Sequence, residues 1–315
     1  LYHIGLQLYA PAIALAASAA FACGFLVLAE AHLAKTDTVL MLLVIVQQWA
    51  LMRIYLDRTG ATTKPSTHWI FFWIALAAGI LVKGPISPAI AILTITALVI
   101  WHRGAGWIRP LRLGRGLILV ALITLPWAVL VTAATDGAFL DIAVKADFLA
   151  KVQSGQESHG APPLTYLALF GVLLWPASLL LPSALLHIKA MLARDSTRFL
   201  LAWLVPFWLT LELIPTKLPH YPLPVVPAAI LLLLWSVDRV VTLSPLRQKF
   251  YLAGQYVLLA LGFGLVAAVI AVAVMFGGQS MRLAVGLAVF TSLLVGLASW
   301  QGHRWIQTGE YLHLL

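Results

Sequence analysis

The chain has 315 residues, of which 62% are hydrophobic and 10% charged, and its formal net charge is +9. A soluble domain carries roughly 25% charged residues, and no water-soluble fold hides this much apolar surface, so composition excludes a soluble globular protein. A single cysteine, Cys23, excludes an intrachain disulfide; lying in an apolar run, it reads as a small packing residue.

Apolar runs of about 20 residues recur along the chain, the length needed to cross a hydrocarbon core about 30 Å thick. Lipid offers a bare backbone no hydrogen bonds, so the runs are expected to be helices, and the two-residue alternation of a membrane barrel is absent. The predicted fold is all-α, a polytopic membrane helix bundle of about ten transmembrane helices forming one domain over 1–315. Spans are predicted at 8–29, 38–56, 67–82, 85–101, 116–134, 164–187, 199–214, 222–237, 251–276 and 283–300. The third and fourth are short enough to form a re-entrant hairpin. Pro176, Pro182, Pro206, Pro224 and Pro227 fall within spans, where proline marks a kink if neighbours satisfy the freed carbonyls. The chain starts at Leu1 without a Met or signal peptide, and Leu1 to Tyr9 already reads as the approach to a helix. An N-terminal truncation is therefore expected.

Alternate loops differ in charge. The loops 53–68, 102–115, 188–198, 238–250 and 301–315 hold 14 Lys/Arg and 4 Asp/Glu, whereas 30–37, 83–84, 135–163, 212–221 and 277–282 hold 6 and 7. The positive-inside rule makes the first set cytoplasmic. The basic balance is thus accounted for by topology, and the expected partners are membrane lipids and not nucleic acid. Chemistry is to be sought on the second, outer set.

Four outer segments carry it. In Glu30-Ala-His-Leu-Ala-Lys-Thr-Asp37, Thr36 or Asp37 caps the following helix, or else Asp37 is a carboxylate held at the mouth of a cavity; the residues alone leave both readings open. Lys83, in Leu81-Val-Lys-Gly-Pro85, either snorkels to headgroups or serves a phosphate as a point charge. The loop 135–163 is long enough to be a lid or binding segment. Asp141 to Lys151 reads as a short amphipathic surface helix, Glu157 and His159 as two metal-capable ligands, and Pro162 and Pro163 as the start of the next helix. Last, Lys217-Leu-Pro-His-Tyr221 places three phosphate-capable side chains within five residues, in a turn that its prolines stiffen.

Taken in this order, Ala34-Lys-Thr-Asp37-Thr-Val-Leu40, Leu81-Val-Lys-Gly-Pro85, Gln156-Glu-Ser-His-Gly-Ala-Pro-Pro163 and Lys217-Leu-Pro-His-Tyr221 with Pro224 and Pro227 resemble the protein O-mannosyltransferase and aminoarabinose transferase superfamily of GT-C class enzymes. The resemblance extends over essentially the whole chain. It implies a GT-C-like membrane domain in a bacterial plasma membrane, its active face periplasmic or extracellular. It implies transfer of a sugar from a polyprenyl-phosphate-linked donor to a lipid, glycan or protein acceptor. Lys217, His220 and Tyr221, with Lys83, would hold the donor phosphate; Asp37 would orient substrate or donor; Glu157 and His159 would shape the acceptor side, or bind a divalent metal in some members. The family's general base lies in an earlier outer loop, a region that would precede Leu1. Two rivals remain: a secondary transporter, which would place charges on broken helices near the midplane, and a flippase or polymerase for lipid-linked oligosaccharides, which would share the phosphate ligands.

Overall fold

The computed structural model describes residues 1–57, 67–141, 160–186, 188–235 and 245–276, with separate helical residues between 285 and 304. Among them the regular structure is helical, apart from an isolated antiparallel bridge between Gly160 and Thr216. Two short helices, α1 (Tyr2–Leu8) and α2 (Pro11–Ala22), lead into α3 (Phe25–Ala31). Four longer ones follow: α4 (Asp37–Leu56), α5 (His68–Lys83), α6 (Ile86–His102) and α7 (Leu113–Ala134). After the single turn α8 (Ala138–Asp141) come α9 (Thr165–Leu173), α10 (Leu181–Leu186), α11 (Ile188–Leu192), α12 (Asp195–Leu213), α13 (Val226–Trp235) and α14 (Pro245–Phe276).

Several predicted spans appear nearly as expected, notably α4 to α7 and α12. Others are broken. The span predicted at 8–29 is α2 and α3, bent by 54°. Cys23 lies at that break and is exposed, so it is not the interior packing residue expected from its apolar surroundings. The span predicted at 164–187 is α9, a 3₁₀ turn over Ala177–Leu180, and α10. Pro176 and Pro182 have no N–H to continue a helical ladder, and the freed groups find other partners. Ser178 Oγ donates to Gly171 O at 2.7 Å, and Phe25 N donates to Trp175 O at 3.0 Å, so the two breaks satisfy one another. The helix after the long loop begins at Thr165 and not at Pro162, because Leu164 takes a left-handed φ of 71° that no helix continues. Among the described residues, α4 and the stretch Gly106–Ala134 are long and apolar enough to cross a bilayer alone, with α2–α3 a third if the bent pair is one span. Helix length therefore does not by itself establish ten spans.

The core is built around α4. Leu40, Val44, Leu51, Met52, Ile54 and Tyr55 are buried against α5, α6, α12 and the turn at Leu223–Val225. Gln47 and Gln48 are fully buried on this helix, and the amide of Gln48 donates to Thr94 Oγ1 at 3.3 Å. Small residues allow close approach where apolar driving force between helices is weak: Gly79 of α5 lies directly on Ser87 of α6.

Opposite ends of the bundle differ. At one end, Arg112 sits over Trp69, Arg194 over Trp235 and Arg198 over Trp101, at 5.3, 6.0 and 5.8 Å from the ring centroids. Such aromatic and cationic pairs suit a membrane interface, and these arginines belong to the basic loop set. The other end of α4 begins at Asp37.

Gly116 fixes the start of α7 against α5. A Cβ there would stand 2.0 Å from the indole of Trp73, whose Nε1 donates to Leu111 O at 2.7 Å and so cannot swing aside. Gly116→Ala should destabilise the bundle by about 1–3 kcal/mol or more through overpacking. Thermal unfolding in detergent checks this; a wild-type melting temperature would show that the contact relaxes.

Candidate functional site

The acidic end gathers side chains from three separate segments. Asp37 is the first residue of α4, and its carboxylate accepts a hydrogen bond from Lys83 Nζ at the end of α5. Neither Thr36 nor any other N-cap side chain bonds the α4 backbone, so the ion pair, and not capping, accounts for this motif. Gly84 follows Lys83 with φ of 60°, a conformation open to glycine, and ends α5 so that the lysine stands at the helix mouth. His220 arrives from the turn between α12 and α13, where Tyr221 N donates to Leu218 O at 3.1 Å and Leu223 N to His220 O at 3.0 Å. Pro215, Pro219 and Pro222 keep this turn from extending either helix.

The imidazole lies between two carboxylates. Nε2 is 3.9 Å from Asp37 Oδ2, and Nδ1 is 3.8 Å from Glu30 Oε1. Glu30, near the end of α3, is 5% exposed, and its Oε1 is 3.7 Å from Lys35 Nζ. The five groups comprise two carboxylates, two ammonium groups and one imidazole. Burial holds His220 below the ordinary histidine range; Asp37 and Glu30 pull it up, and Lys83 and Lys35 push it down. The imidazole is therefore neutral at pH 7, the cluster is close to charge balance, and an added anion would draw a proton onto His220. The ring of Tyr221 meets that of His220 edge-on, 5.2 Å between centroids.

Lys217 does not join this cluster, contrary to the convergence expected of it. Its ammonium is buried and donates to Leu211 O at 2.9 Å, Glu212 O at 2.8 Å and Ile214 O at 2.8 Å, closing the C-terminus of α12. All three of its protons are thereby used. It also lies 4.0 Å from Glu212 Oε2 and 5.4 Å from the ring centroid of Tyr166. Glu212, which no motif marks, accepts from Leu167 N at 2.7 Å, Tyr166 N at 3.4 Å and Trp208 Nε1 at 3.3 Å. It thus supplies from α12 the cap that the start of α9 lacks. Tyr166 Oη donates to Leu218 O at 3.0 Å, and Ala161 N to Pro215 O at 3.2 Å. This network ties the end of the long loop and the start of α9 to the turn that presents His220. The available signal was an acidic residue five positions before Lys217, at the end of an apolar run.

Glu157 and His159 lie outside the described residues, as does all but the first residue of the expected amphipathic segment 141–151. Among the described residues no group of three His, Cys, Asp or Glu side chains forms a metal-holding set.

No protein-family profile matches the chain. In sequence it is similar to undecaprenyl phosphate-alpha-4-amino-4-deoxy-L-arabinose arabinosyl transferases: 30% identical over 181 residues to that of Erwinia tasmaniensis, and 32% over 161 residues to that of Shewanella sediminis. These matches cover 56% and 50% of this chain but 32% and 28% of the relatives, so the chain aligns with about a third of each. In structure it is similar to ArnT from Cupriavidus metallidurans, solved in the apo state and bound to undecaprenyl phosphate. The undecaprenyl phosphate-bound structure superposes with a TM-score of 0.73 and 19% identity, over 97% of this chain and 55% of that one. The fold is thus the polytopic helical fold of ArnT, as the motif resemblance implied.

Proposed function

We propose that the protein carrying this chain transfers a sugar from a polyprenyl-phosphate-linked donor to a lipid, glycan or protein acceptor at the non-cytoplasmic membrane face. One observation carries the reading: Asp37, Lys83 and His220, from three distant segments, meet at the end of the bundle opposite the basic loops. The names of the sequence relatives point to an amino-pentose as the transferred group. Lys83 and His220, with Tyr221 beside it, take the leaving phosphate, and fixed donors in a poorly solvated site stabilise the charge that develops on it. Asp37 holds Lys83 in place and orients the donor. Lys217 supports the turn from behind. Glu157 and His159 belong to the acceptor side, and any divalent metal would be sought there. A transporter is disfavoured because the charges gather at helix ends; a flippase would share the phosphate ligands and differ in transferring nothing.

The test is binding of undecaprenyl phosphate to the full protein in nanodiscs between pH 8 and pH 6. Free His220 is neutral over most of this range because its pKa is depressed. A bound phosphate raises that pKa, so binding takes up a proton and affinity should strengthen as pH falls, by up to about tenfold per unit, levelling off below the free pKa. His220→Gln should bind more weakly and lose this dependence, while the phosphate's own titration remains common to both proteins. Equal pH profiles, or no binding, would overturn the reading.

A further inference from the structure

Glu30 is the least satisfied group in the cluster. Its carboxylate is buried, yet its contacts with Lys35 and His220, at 3.7 and 3.8 Å, are too long for hydrogen bonds, and its Oε2 has no hydrogen-bond partner among the described residues. Carboxylates are buried in this way when a donor completes them. Lys35 is 43% exposed in its side chain, and its ammonium lies 3.7 Å from the other oxygen. The His220 ring separates the two carboxylates: Asp37, with Lys83, is on its Nε2 side and Glu30 on its Nδ1 side. A ligand that holds its phosphate on Lys83 and extends past the imidazole brings its sugar ring to Glu30.

We infer that Glu30 is a specificity residue, whose Oε2 accepts a hydrogen bond from a cationic amino group on the transferred sugar. The inference rests on the sugar-transfer reading above and deepens it. A hydroxyl would also satisfy Oε2, but an ammonium donates a charge-assisted bond roughly twice as strong and supplies the counter-charge that Lys35 gives only at a distance. An amine at position 4 of a pyranose lies across the ring from the anomeric carbon, which matches a carboxylate one imidazole away from the phosphate ligands.

The experiment compares three probes on the full protein in nanodiscs: undecaprenyl phosphate, its 4-amino-4-deoxy-L-arabinose derivative, and the matched L-arabinose derivative with a hydroxyl at position 4. The wild type should bind the amino sugar at least about tenfold more tightly than the hydroxyl sugar. Glu30→Gln should bring that ratio close to one while still binding undecaprenyl phosphate, which reports that the site is folded. Glu30→Asp should restore part of the preference. A merely structural role would move all three affinities together. A wild type without amino preference, or a Glu30→Gln protein that retains it, overturns this inference while leaving the phosphate site standing; failure of all three probes to bind the wild type removes both.

Discussion

Replacing Lys83 with alanine should lower kcat for sugar transfer by about two to three orders of magnitude, the effect of removing one fixed donor from a charge-stabilising site. The lysine also neutralises Asp37, which is 7% exposed and has Lys83 as its direct donor. Without Lys83 the buried carboxylate repels the incoming phosphate, and donor KM should rise as well. Lys83→Arg should recover part of the loss, because the guanidinium keeps the charge but not the geometry of a single ammonium. Asp37→Asn separates the two roles. It frees the ammonium from its carboxylate, so undecaprenyl phosphate should bind more tightly while transfer slows, the pattern of a group used after ground-state binding. Initial rates of labelled sugar transfer in proteoliposomes, with melting temperatures alongside, measure both. Near wild-type kcat in a folded Lys83→Ala protein would remove the lysine from the chemistry.

How far this site could be read in advance depended on what each residue's partners were. Asp37 and Lys83 were legible because charges at the ends of apolar spans cannot lie unpaired, and alternating loop charge put both at the same end of the bundle. His220 was legible because prolines on both sides mark an irregular turn between spans. Glu30 was visible as a charge but not as a site residue, since its burial depends on how α3 is inclined, and that follows from the 54° break after α2. A hydropathy window averages over Cys23 and Gly24 and reports one span. In the span at 164–187, Pro176 and Pro182 mark a kink, but the donor that satisfies Trp175 O there, Phe25 N, comes from elsewhere in the fold. For Lys217, side-chain type, a proline-stiffened turn and the motif resemblance all point to a phosphate ligand, and none of them registers its backbone acceptors. Three carbonyls of its own helix end lie within its reach, and a helix C-terminus offers such acceptors wherever a lysine follows within a turn or two.

That difference for Lys217 is measurable. Lys217→Met should destabilise the protein by about 3–5 kcal/mol, because Glu212 then stays buried without a counter-charge and three carbonyls lose their donor. A phosphate ligand and a brace for the His220 turn would both lose transfer on this substitution, so the single variant does not separate them. The pair Glu212→Gln with Lys217→Met does. Removing both charges should return part of the lost stability, a coupling of about 0.5–3 kcal/mol between groups in one network. If Lys217 acts only by holding the turn, undecaprenyl phosphate affinity should recover together with stability. If its ammonium reaches the phosphate, stability recovers and affinity does not, since no substitution at position 212 restores the missing cation. The first outcome is expected, because every proton of the Lys217 ammonium already has a backbone acceptor within 2.9 Å. Bringing it to the phosphate would first require opening the end of α12.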